Sequence, residues 1–246
     1  MIIPFGYKIR LLSFFAEMTQ KFFRPLFLYQ GNKVRRDVKT LPEAEGQRKG
    51  INGKGKKISI LILGDSSACG VGVQRMEDSL SGCLIKFLKQ KFSCKWKIVA
   101  KSGITANDLT ELVKRNRKEK VDFVLLTVGI NDITAGKSVK IWREEMLELS
   151  QILIRDFLPK KIIFCGIPPI RKLWIIPNPL KQILGLKAFI FDLQLMEICD
   201  KLQIGEFVPN DFPVKKSSMA EDFLHPGKLY YYLWARRIGQ IITDRC

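Results

Sequence analysis

The sequence predicts an α/β domain: a parallel sheet covered by helices on both faces. Two observations predict it. Short apolar runs of strand length alternate with longer helix-like segments from residue 58 to residue 243. Small and polar residues gather immediately after each run, at the strand ends where such sheets bind ligands. The length of 246 residues suits one medium domain plus a short extension. Wholesale disorder is excluded by 46% hydrophobic and 27% charged residues.

Residues 8–26 have helical periodicity. Leu11, Phe15, Met18 and Phe22 fall on one side, and Arg10, Glu17, Lys21 and Arg24 on the other. Pro25 marks the expected end of this helix. Two readings stand open: an in-plane helix on an anionic bilayer, or a helix that packs on the domain or pairs with another copy. Residues 30–57 hold five glycines and many charges, and read as a linker or surface arm. Residues 1–57 thus form a basic N-terminal segment, and residues 58–246 the main domain.

Strands are expected at Ile58–Leu63, Trp96–Ala100, Val121–Val128 and Lys161–Cys165. Helices are expected at Ser79–Lys91, Thr105–Lys118, Lys140–Phe157, Leu186–Leu202 and Lys228–Thr243. The first strand is followed by Gly64-Asp65-Ser66-Ser67, the second by Lys101-Ser102-Gly103, the third by Gly129-Ile130-Asn131-Asp132, and the fourth by Gly166-Ile167-Pro168-Pro169. Asp222-Phe223-Leu224-His225-Pro226 precedes the final helix.

The chain has one histidine, so any Ser–His chemistry must use His225. Asp222, three residues earlier, can fold back onto the ring. A carboxylate on Nδ1–H fixes the tautomer and leaves Nε2 as a base. Ser66 follows the first strand and is the candidate nucleophile; a hydroxyl needs such a base to attack a carbonyl. Its alternative role is to cap the next helix. Developing negative charge on a tetrahedral intermediate needs donors. The Ser66 and Gly103 backbone N–H groups and the Asn131 side-chain amide could supply them, although Gly103 alone reads as a turn glycine and Asn131 as a turn or cap residue.

Taken in order, these blocks resemble the SGNH hydrolases, the GDSL lipase/esterase family. GDSS at 64–67, SGITANDL at 102–109, VGINDIT at 128–134 and DFLHP at 222–226 look like the family's four blocks. The resemblance spans roughly residues 58–243, with Ser67 where many members have Leu. It implies a three-layer αβα sandwich with a flavodoxin-like parallel sheet. It also implies a serine esterase or acyl hydrolase: Ser66 as nucleophile, Asp222 and His225 completing the triad, and Ser66, Gly103 and Asn131 forming the oxyanion hole. Lipid esters, thioesters and acetylated sugars are all substrates the family handles, without a metal.

Residues 166–187 are the expected specificity element: Trp174, Ile175, Ile176, Leu180 and Leu184 could cover an acyl pocket, with Trp174, Ile175 and Ile176 as the candidate pocket residues; ordinary packing is the alternative. The six cysteines lack metal-ligand spacing, and Cys69 reads as core. No metal or cofactor is expected. The thiols suit a reducing compartment, no signal peptide is evident, and a cytoplasmic protein is expected, peripheral on the inner face of the membrane if the first helix binds lipid.

The net charge of +18 keeps a second function class in view, a non-catalytic basic module binding nucleic acid or anionic membrane. Residues 1–57 carry 13 Lys/Arg against 4 Asp/Glu, so half the excess lies in this segment. No nucleic-acid motif accompanies it, and no nucleic-acid partner is expected. The expected partner is a small-molecule or lipid ester, with peripheral contact to anionic membrane through residues 1–30 as the open alternative to packing.

Overall fold

A computed structural model describes residues 5–246; the first four residues of the basic segment lie outside the described residues. The sheet is built from β1 (Lys49–Asn52), β2 (Lys56–Gly64), β3 (Phe92–Ala100), β4 (Phe123–Thr127), β5 (Lys161–Cys165) and β6 (Gly205–Val208), in the order β1-β3-β2-β4-β5-β6. All neighbours are parallel except β1, which runs antiparallel to β3. Counting the five parallel strands in chain order gives 2-1-3-4-5, the flavodoxin-like arrangement.

All four expected strands are present. The two additional ones sit at the sheet edges, where burial is slight and no apolar run is needed: KGIN in β1 and GEFV in β6. Helices α3 (Leu80–Leu88) and α8 (Lys228–Asp244) pack together. Helices α4 (Ala106–Lys114), α6 (Val139–Phe157) and α7 (Leu180–Leu202) form the other contiguous layer, with short α5 (Ile130–Thr134) against α7. The result is a three-layer αβα sandwich. β4 is buried along its whole length, as a central parallel strand must be. Trp142 of α6 stacks on Phe191 of α7 at 3.9 Å, tying that layer together.

The N-terminal segment differs from expectation in two ways. The single helix expected over 8–26 is a pair, α1 (Phe5–Phe22) and α2 (Arg24–Asp37), broken at Phe23. Pro25 lies in the first turn of α2, where no intrahelical donor is lost, so it begins the second helix. The polar stretch expected as a linker contributes part of α2 and all of β1. Lys33, Arg35 and Arg36 are exposed on α2, and so few residues face inward that no apolar stripe reveals the helix.

The pair packs on the domain through a narrow apolar contact and several polar clamps. Ile9, Ala16 and Phe27 are buried. Glu17 accepts a hydrogen bond from the Val139 N–H at the start of α6 (3.1 Å), Gln20 accepts one from the buried Lys187 ammonium (3.0 Å), and Gln30 bridges the Asn178 carbonyl and the Leu180 N–H. Among the described residues no helix is long and apolar enough to cross a membrane.

Strands β2 and β4 approach closely at their carboxyl ends. Gly64 pairs with Thr127, and a Cβ on Gly64 would collide with the Thr127 carbonyl and hydroxyl oxygens. Backbone cannot rotate away as a flexible side chain can. Gly64→Ala should therefore cost about 1–3 kcal/mol, the range for overpacking, seen as a lower urea midpoint with an unchanged slope.

Candidate active site

The chain leaves β2 through a tight coil. Asp65 N–H donates to the Thr127 carbonyl (3.1 Å), Cys69 N–H to the Asp65 carbonyl (3.0 Å) and Val71 N–H to the Ser66 carbonyl (3.0 Å). This coil presents Ser66 at the end of β2, beside the switch in strand order. Two contacts draw the last loop against it. The Tyr231 hydroxyl of α8 donates to the Val71 carbonyl at 2.7 Å. Gly72, at φ +104°, lies where any Cβ would strike the Pro226 carbonyl, so only glycine lets the loop close in.

That loop carries the histidine and its carboxylate. Asp222 is buried, and its Oδ1 accepts the Leu224 and His225 N–H groups, both at 3.0 Å. Its Oδ2 lies 2.6 Å from His225 Nδ1. Burial works to raise the Asp222 pKa, but the His225 ring and these N–H donors outweigh it and hold the carboxyl below its ordinary range. An ionised carboxylate only accepts, so Nδ1 bears the proton and Nε2 offers its lone pair. His225 Nε2 lies 3.1 Å from Ser66 Oγ, bridging 159 residues of sequence.

Gly103 follows β3 at φ +80°, with open space where a Cβ would point. Its glycine is required by backbone conformation rather than by crowding. The Ser66 and Gly103 N–H groups donate to no acceptor among the described residues, and both residues line the same cavity. Asn131 joins them: its Nδ2 donates to the Ile104 carbonyl at 2.9 Å and, more weakly, to Asp65 Oδ2 at 3.3 Å. Asp65 also accepts the Ser67 N–H, and its burial pushes its pKa up to about 7. Asp132 ties the same loops together by accepting the Ala106 N–H at the start of α4.

Sequence reasoning missed Glu43. This carboxylate reaches across from the supposed linker, accepts the Ser102 N–H at 2.9 Å and pairs with Arg48 at 2.5 Å, while Arg48 also donates to the Ala100 carbonyl. Glu43 thereby holds the turn that carries Gly103. Partial burial opposes its charge, but the Ser102 and Arg48 donors prevail and lower its pKa to about 2. An acid in a basic stretch, with Glu45 two residues on, offers no signal of this role.

Ser66, Gly103, Asn131 and His225 line one cavity of about 900 Å³. Ile170, Leu173, Ile176, Leu180 and Leu184 form an apolar wall. Of the three candidate pocket residues, Ile176 lines the cavity. Trp174 and Ile175 are not among its lining residues; Trp174 is partly exposed and packs on Phe223, ring centroids 5.7 Å apart. Another wall comes from the N-terminal helix pair, through Gln20, Phe27, Leu28 and Gly31.

No family model matches this sequence, and no curated protein matches it. Solved structures do match. The psychrotrophic esterase EstA from Pseudoalteromonas sp. is 20% identical, with a TM-score of 0.56 over 76% of this chain and 97% of that one. The acetylxylan esterase Axe2 from Geobacillus stearothermophilus is 16% identical, with a TM-score of 0.57 over 76% and 95%. The carbohydrate acetylesterase Est24 from Sinorhizobium meliloti is 16% identical, with a TM-score of 0.57 over 77% and 100%. At these identities the likeness is one of fold, and it is the fold that the four sequence blocks implied.

The Glu43 contacts predict a pH signature. A carboxyl whose folded pKa is about 2, against an ordinary 4.5, contributes stability above pH 4.5 and loses it as pH falls toward 2. Glu43→Gln should lower the thermal midpoint at pH 7, and the gap to the unmodified protein should close as pH falls from 4.5 to 2. A gap that stays constant over this range would show that the charge of Glu43 is not what holds the turn.

Proposed function

We propose that this chain is a serine esterase of the SGNH hydrolase type, cleaving carboxylic esters through an acyl-enzyme on Ser66. The observation that carries this reading is the continuous Asp222–His225–Ser66 contact facing two unpaired backbone N–H groups across one cavity. The shared fold of EstA, Axe2 and Est24, each named an esterase, supports ester hydrolysis in general.

In the first half-reaction Ser66 Oγ attacks the acyl carbonyl carbon, and its proton passes to His225 Nε2. Asp222 holds the ring in position and stabilises the imidazolium without taking the proton. The carbonyl oxygen becomes an oxyanion. The Ser66 and Gly103 N–H groups reach it at no cost to an existing bond, and Asn131 contributes the N–H held only weakly by Asp65. The carbon–oxygen bond to the alcohol then breaks, and His225 returns its proton to the leaving oxygen. In the second half, water gives a proton to His225 and attacks the acyl carbon. His225 returns that proton to Ser66 Oγ as the carboxylic acid departs.

The wall of Ile170, Leu173, Ile176, Leu180 and Leu184 suits an apolar acyl chain. The same machinery would accept a thioester, whose carbonyl presents the same geometry.

Purified protein should hydrolyse p-nitrophenyl esters and be labelled at Ser66 by a fluorophosphonate. Ser66→Ala and His225→Ala should each lower kcat by roughly 10³-fold or more, and Asn131→Ala by about 10²–10³. Activity that survives the loss of Ser66 or His225 would overturn the assignment. Absent labelling, with salt-dependent retention of a polyanion, would favour a non-catalytic binding module.

A further inference from the structure

The helix pair α1–α2 has two faces, and only one is used by the fold. Ile9 and Ala16, 5% and 1% exposed, turn toward the domain. On the opposite side of α1 lie Leu11, Phe14, Phe15, Met18 and Phe22; Phe14, Phe15 and Phe22 are 64%, 60% and 80% exposed. Phe23, Leu26, Leu28 and Tyr29 continue this apolar exposure onto α2, and Phe22 and Phe23 pack edge to face at the junction, 5.0 Å between centroids. So many large apolar side chains gathered on one exposed helix pair mark an interaction surface.

Basic side chains flank it. Arg10, Lys21, Arg24, Lys33 and Arg35 have no ion-pair partner among the described residues, whereas Arg36 and Lys39 meet Asp37 and Glu221. Aromatic and leucine residues on one face, with unpaired Lys and Arg at its margins, are the chemistry of a helix lying in an anionic lipid interface. The position of the pair gives that contact a purpose. Phe27 and Leu28 wall the cavity that holds Ser66, and Lys21, Arg24, Arg35 and Lys39 line the same cavity.

We propose that α1 and α2 dock this protein on an anionic phospholipid bilayer, and that the cavity they wall takes its substrate from that bilayer: an amphiphilic acyl ester whose chain lies along Ile176, Leu180 and Leu184 and whose anionic headgroup meets Lys21 and Arg24. The substrate half of this inference rests on the esterase reading; the docking half does not.

The experiment uses the full chain in co-sedimentation with phosphatidylcholine vesicles, with and without about 30 mol % phosphatidylglycerol. The unmodified protein and Ser66→Ala should bind the anionic vesicles alike, with binding weakened by salt. The triple variant Phe14→Asp, Phe15→Asp, Phe22→Asp should bind on the order of 10-fold or more weakly. It should still hydrolyse a short water-soluble ester at the unmodified rate, which checks its fold, while losing activity on a long-chain ester embedded in vesicles. Arg10→Glu with Lys33→Glu, leaving the apolar face intact, should also weaken anionic binding. Equal sedimentation with and without lipid, or undiminished binding by the triple variant, would overturn the docking. So would a dimer that the triple variant dissociates, because the face would then belong to a second copy. Vesicle binding without hydrolysis of any ester would overturn the esterase reading and leave the docking standing.

Discussion

The close approach of β2 and β4 at Gly64 and Thr127 governs the rest of the site. Two parallel strands can come this near at their carboxyl ends because one contributes no side chain there. Asp65 then bonds the Thr127 backbone, and its carboxylate is driven into the gap, where it can serve Ser67 and Asn131 at once. A buried carboxyl carries a desolvation cost, visible in its pKa of about 7. In return it sets two loops from different strands in fixed relation. A wider spacing would separate Ser66 from Asn131 and leave each as an ordinary turn residue.

A second set of contacts brings in the far end of the chain. Gly72, Tyr231 and the Asp222 turn converge on the Ser66 coil from sequence positions far apart. Asp222 has a double part here. One oxygen closes its own loop through backbone N–H groups, and the other fixes the imidazole tautomer. The same carboxylate therefore shapes the backbone and directs the ring, so the base is set in place before any substrate arrives.

The N-terminal segment turns out to be part of the site. Glu43 steadies the turn before Gly103, and α1–α2 wall the cavity. Attachment through Glu17, Gln20 and Gln30 leaves the large apolar side chains free. This accounts for a helix whose most hydrophobic face is its least buried. The two readings open for it were packing on the domain and contact with a membrane. They are compatible because they employ opposite faces: packing is observed, and membrane docking is proposed.

Much was legible in the sequence because it depends on local pattern. Central parallel strands must be apolar on both faces, so all four were found. The residues after them are small and polar for reasons of backbone conformation and chemistry, so Ser66, Gly103 and Asn131 stood out before any geometry was known, and His225 with Asp222 stood out because the chain has a single histidine. Edge strands β1 and β6 were hidden because their burial is slight. Glu43 was hidden because nothing in the sequence sets it apart from the nearby Glu45 until Ser102 and Arg48 are beside it. Trp174 packs on Phe223 and is not among the residues that line the cavity, while Leu180 and Leu184 of the same expected specificity element line it from the first turns of α7. Residue type and spacing determined which groups could do chemistry. Only the tertiary structure decided which of them meet, because hydrogen bonds and packing act over a few ångströms while the partners lie up to 159 residues apart.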